Sequence, residues 1–144
     1  MIRTFQAAAL AALVAGCATT QPISGPGEAS AGAMAREVTV GETASGSTIA
    51  VASGGTVTVE LNSSAGTPYE WVVTDTPAFL RLASSEQVAA PQRPGQPPIV
   101  GGPVTNRFVF QATGTGSGQL RLALRSVVGD RQIARTWAGT VIVR

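Results

Sequence analysis

Histidine and lysine are both missing from this 144-residue chain, cysteine occurs once, and only 12% of residues are charged. Without His there is no Ser-His-Asp triad, no Cys-His pair, no imidazole-ligated zinc and no imidazole general base. The eight acids fall at no spacing that pairs two carboxylates on one face, so acid-base hydrolysis finds no support either. No nucleophile with a base is visible, and the chain reads as a non-enzyme that needs neither metal nor cofactor. All ten basic residues are Arg, giving a net charge of +2, and Glu37, Glu42, Glu60, Glu70 and Glu86 are interspersed among them. Phosphate binding wants positive charge gathered on one face, so nucleic acid is excluded as a partner.

The first sixteen residues have Arg3 as a positive start, an apolar stretch from Ala7 to Val14, and small residues before Cys17. This is the pattern of a secretory signal, too short to stay as a membrane-crossing helix of roughly 20 residues. Leu13-Val14-Ala15-Gly16-Cys17 resembles a bacterial lipobox, which implies cleavage before Cys17 and a lipid on its thiol. Ala18 rather than Asp after that Cys implies sorting to the outer membrane, so a bacterial cell envelope location facing periplasm or surface is expected. Residues 17–35 are Thr, Ser, Pro, Gly and Ala with almost nothing to bury, a tether with a root-mean-square span of about 20 to 25 Å. With one Cys no disulfide is available, and the domain at 36–144 must be held by its core alone.

From Val38 onward the apolar period is two and turn residues recur every eight to a dozen positions. Val57, Val59 and Leu61 alternate with Thr56, Thr58 and Glu60. Phe108, Phe110 and Ala112 do likewise, as do Leu120, Leu122 and Leu124, with Arg121 and Arg125 turned outward. Each is a half-buried strand. Further strands are expected at 38–40 with 48–51, 69–74, 79–82 and 137–143. About seven strands, each with one apolar face, imply an all-β immunoglobulin-like sandwich. Three loops stand out, at 62–68, 89–106 and 126–135. Within the second, Pro at 91, 94, 97 and 98 prevents ladder bonding and keeps the chain extended or turn-like.

The run Asn62-Ser63-Ser64-Ala65-Gly66-Thr67-Pro68-Tyr69-Glu70-Trp71 resembles the Asn-Pro-Thr-Thr-Gly-Tyr-x-Trp loop of chagasin-like inhibitors of papain-type cysteine proteases. Asn62, Gly66, Tyr69 and Trp71 match by type, and Ser64 nearly so. Ser63 stands for Pro and Ala65 for Thr, and Thr67-Pro68 is a two-residue insertion. Gly101-Gly102 followed by Phe108-Val109-Phe110 is similar to the family's Gly-Gly loop leading into an F-x-F strand. Where an Arg-Pro-Trp loop should follow the penultimate strand, Ser126-Val127-Val128 stand instead, with Arg135-Thr136-Trp137 farther on.

The resemblance implies a reversible, non-covalent inhibitor of papain-like cysteine proteases that acts through three loops at one end of the sandwich. The expected wedge runs from Asn62 to Tyr69. Candidate contacts are Asn62, Ser63, Ser64, Ala65, Gly66, Thr67 and Tyr69 in the first loop, Gly101 and Gly102 in the second, and Arg125 and Trp137 about the third. Gly66 permits a positive φ and close backbone approach, Asn62 and Ser64 suit bonds to turn amides, and Pro68 preorganises the loop. Tyr69 and Trp71 share a strand face, and Trp71 is expected in the core. Trp137 alternates with Val141 and Val143 yet sits at a strand start, where the rim is open to it. The expected partners are a papain-like cysteine protease and, through Cys17, a membrane, with the chain a monomer. The alternative is an envelope interaction module without inhibitory activity, favoured by the absent Arg-Pro-Trp.

Overall fold

A computed structural model describes residues 34–92, 94–97 and 100–144. The signal segment, Cys17 and nearly all of the tether lie outside the described residues, as do Arg93 and Pro98 of the proline-rich stretch. Among the described residues eight strands form: β1 (Glu37–Val40), β2 (Thr48–Val51), β3 (Thr56–Ser64), β4 (Tyr69–Asp75), β5 (Leu80–Ala89), β6 (Pro103–Ala112), β7 (Gly116–Ser126) and β8 (Ile133–Val143). A single 3-10 turn, Glu42–Ala44, separates β1 from β2. The count is eight because the two short leading strands go to different sheets. β1 pairs in parallel with β3, and β2 in parallel with β8.

The sheets have the orders β1-β3-β6-β5 and β2-β8-β7-β4, and all other pairings are antiparallel. Their apolar faces enclose one core. Val57, Val59, Leu61, Phe108 and Phe110 come from the first sheet, and Leu120, Leu122, Leu124, Trp71, Trp137, Val141 and Val143 from the second. Each such side chain contributes about 1.5–3 kcal/mol by leaving water, which stands in for the missing disulfide. The period-two signal is weak in β4, where Trp71 alone is buried, and fails in β5, where nine of ten residues are exposed. A register shift between Leu82 and Ser84 leaves that edge strand longer than the 79–82 its apolar residues suggest.

Two aromatic placements bear on the site, and that of Trp137 differs from its expectation as a contact. Tyr69 shares strand parity with Trp71 but is 40% exposed, because it opens β4 at the mouth of the sandwich. Trp137 is 2% exposed and belongs to the core, not the rim. Its indole lies against Gly139, where a Cβ would come within 2.9 Å of the ring, and its Nε1–H donates to Gly41 O at 3.1 Å. Alternation with Val141 and Val143 thus outweighs its place near the start of the strand.

Strand register fixes the two poles. Ser64 lies opposite Pro103, Ala89 opposite Val104, Tyr69 opposite Ser126 and Arg125 opposite Ile133. Loops 65–68, 90–102 and 127–132 therefore emerge together. Glu37, paired with Thr56, and Val143, paired with Gly116, lie at the other pole.

Candidate functional site

The first loop is shorter than its sequence suggests, because β3 continues through Ser64. Only 65–68 turn. The Thr67 hydroxyl closes that turn on Ser64 O at 2.8 Å, and Gly66 adopts φ 75°. Asn62 and Ser63 are therefore the stem of the loop and not its tip. The Asn62 side chain does not cap a turn amide: its Oδ1 accepts the Thr105 hydroxyl at 3.2 Å. The Ser63 hydroxyl accepts from Asn106 Nδ2 at 2.8 Å.

The three loops are bonded to one another. Ala65 N–H donates to Gly102 O at 2.9 Å, joining the first loop to the second, and Val127 N–H donates to Pro68 O at 2.8 Å, joining the first to the third. Gly101, at φ 80°, packs so closely that a Cβ there would lie 3.3 Å from Ala65 O. Beside the tip a recess of about 290 Å³ is lined by Ala65, Pro91, Pro97 and Val104 together with Gln92 and Gln96. The inserted Thr67-Pro68 supplies both the bond that closes the turn and the carbonyl that holds the third loop.

The third loop carries neither Trp nor Pro at its tip. Ser126 is buried, its hydroxyl donating to Val128 O at 2.7 Å and accepting from Val128 N–H at 3.2 Å, and its own N–H donates to Gln132 O. This local network, with Gly129 at φ 63° and Arg131 at φ 51°, holds Val127 and Val128 outward at 54% and 61% exposure. Arg125 is exposed at the end of β7, opposite Glu70 and Ile133. Trp137 is removed from the surface by its burial.

Residues beneath the tip escaped the sequence reading. Asn106 sits on the inward face of β6 between Val104 and Phe108, is 4% exposed, and spends its polarity on both neighbouring strands, β3 and β5. Its Nδ2 donates to Leu61 O and Ser63 Oγ, and its Oδ1 accepts from Gln87 Nε2 at 2.9 Å. A polar residue in register with an apolar face was the available signal. On the outer face of the same sheet, Arg107 bridges Glu60 at 2.9 Å and Glu86 at 3.1 Å. The hydrogen bond and charge of Glu60, then those of Glu86, hold its guanidinium charged beyond its ordinary range.

The family model of Chagasin family peptidase inhibitor I42 matches residues 50–141. No curated protein sequence matches the chain significantly. Among solved structures, the cysteine protease inhibitor EhICP2 from Entamoeba histolytica is similar at 16% identity and TM-score 0.65, over 75% of this chain and 96% of that one. Amebosin, known from a solution structure, is similar at 28% identity and TM-score 0.60, over 75% and 98%. PbICP-C, solved in complex with falcipain-2, is similar at 20% identity and TM-score 0.48, over 77% and 92%.

Proposed function

We propose, from the premise that the chain belongs to the chagasin family of peptidase inhibitors, that it blocks papain-type cysteine peptidases reversibly with loops 65–68, 90–102 and 127–132. The family inhibits peptidases and is not one of enzymes. The observation that carries the reading is the pair of bonds between loops, Ala65 N–H to Gly102 O and Val127 N–H to Pro68 O. They order the tip before any partner arrives, so association does not have to fix it, and a small contact binds more tightly than a floppy one.

The tip acts by occupying space. Ala65, Gly66 and Thr67 form the wedge: without bulky side chains, their backbone reaches into a narrow cleft but offers no scissile bond aligned for attack. Gly101 and Gly102 flank the wedge. Tyr69 and Arg125 lie beside it, and Val127 and Val128 supply the third contact in place of Arg-Pro-Trp. Asn62, Ser63 and Ser64 support the wedge from below.

The same reading places the protein, as a monomer, on a bacterial envelope through lipid on Cys17, in the outer membrane. Signal 1–16, tether 17–35 and inhibitory domain 36–144 support it by their order along the sequence. Residues 36–144, titrated against papain with a small chromogenic substrate, are expected to inhibit competitively at or below micromolar concentration. Absence of inhibition at micromolar domain removes the target class.

A further inference from the structure

β1 accompanies β3 only as far as Val59, so beyond that point no strand among the described residues lies beside this edge of β3. The peptide groups of Asn62, three residues before Ala65, are instead met by side chains from three other elements. Glu42 Oε1, on the 3-10 turn, accepts Asn62 N–H at 3.2 Å. Asn62 O accepts from Arg135 Nη2 of β8 at 2.8 Å and from Trp71 Nε1 of β4 at 3.1 Å. Arg135 also gives Nη1 to Glu42 Oε1 at 3.0 Å, and its guanidinium carbon stands 5.4 Å from the centroid of the Trp71 ring.

We infer that Glu42 and Arg135 are positioning residues for the wedge, a clamp that closes the open edge of β3 at Asn62 and sets the angle at which 65–68 leave the sandwich. Resting on the inhibitory reading above, it adds two residues that touch no partner and act through Asn62. Only a planar fork spans the carboxylate and the carbonyl at once. Lysine in place of Arg135 keeps the charge but reaches one of the two. The 3-10 turn that carries Glu42 is itself pinned to the second sheet, by Trp137 Nε1–H to Gly41 O and by Gly46 N–H to Ala138 O at 2.7 Å. The clamp therefore ties the stem of the loop on one sheet to the frame of the other. From the opposite side Asn106 and Thr105 of β6 hold the same stem.

The test compares wild type, Arg135→Lys, Glu42→Gln and the double variant in the full chain. Amide hydrogen exchange at residues 63–67 is measured in the free protein, and inhibition of papain separately. Each single variant is expected to speed exchange at 63–67 about tenfold, equivalent to roughly 1.4 kcal/mol, with Leu122 and Ala123 of β7 unchanged. The double variant should be little worse than either, since both residues serve one clamp, and inhibition should weaken by a similar factor. Unchanged exchange at 63–67 in both single variants overturns the inference whether or not papain is inhibited. Equal acceleration at Leu122 and Ala123 also overturns it, by making the pair a general stabiliser. If exchange responds at 63–67 alone and even wild type leaves papain untouched, the clamp stands and the target class fails.

Discussion

Gly101→Ala separates loop geometry from stability. At φ 80° an L-residue is strained by about 1–2 kcal/mol, and the added Cβ would meet Ala65 O at 3.3 Å. The tip relieves that contact by opening, which endangers the neighbouring Ala65 N–H to Gly102 O bond, itself worth about 0.5–1.5 kcal/mol. The strain is borne with or without a partner and falls on stability, while the lost bond corresponds to a weakening of inhibition by roughly 2- to 13-fold. Gly54→Ala is the control. Gly54 has φ 74°, no atom within 4 Å of its would-be Cβ, and a place between β2 and β3 at the far pole. It carries the backbone strain without the contact between loops, so melting should fall by about 4 °C per kcal/mol with the inhibition constant unmoved. The pair is read by calorimetry and by tight-binding titration of papain. Wild-type inhibition by Gly101→Ala, with its melting temperature lowered like that of Gly54→Ala, would refute the idea that contact between these loops shapes the tip.

Deleting Thr67 and Pro68 removes the Thr67 bond to Ser64 O and the Pro68 carbonyl that holds Val127, so titration should show inhibition weakened by at least about tenfold. Val127→Asp with Val128→Asp changes exposed side chains, so unfolding by urea should move by no more than about 0.5 kcal/mol, while papain binding measured by surface plasmon resonance weakens. Trp137→Phe loses the bond to Gly41 O and part of the core contact, a destabilisation of about 2 kcal/mol visible as a lower urea midpoint with its slope unchanged. Cys17→Ser should abolish incorporation of labelled palmitate by cells expressing the full chain.

Half-burial explains what the sequence made legible. Strands β3, β6 and β7 bury one face and expose the other, so Val57-Val59-Leu61, Phe108-Phe110 and Leu120-Leu122-Leu124 announce both the element and its inward side. β5 has almost no buried face beyond Leu80, and its last seven residues carry no periodic signal. The convergence of the first two loops was legible through the resemblance at Asn62–Trp71 and Gly101–Gly102. The length of the wedge was not, because Asn62, Ser63 and Ser64 have turn-forming side chains while pairing with β6 keeps them in a strand. Trp137 shows strand alternation overriding a terminal position. The clamp was beyond reach: Glu42 and Arg135 are 93 residues apart, and nothing in their own surroundings along the chain says that they meet.

Both the first residue of β1 and the last of β8 sit at the pole away from the loops. Strands of nine to eleven residues put roughly 30–35 Å between that base and the tip. A sensor chip, an affinity tag or a fused reporter attached next to Glu37 or Val143 would stand the domain with its business end outermost. Immobilised inhibitor should therefore capture its quarry as readily from one handle as from the other.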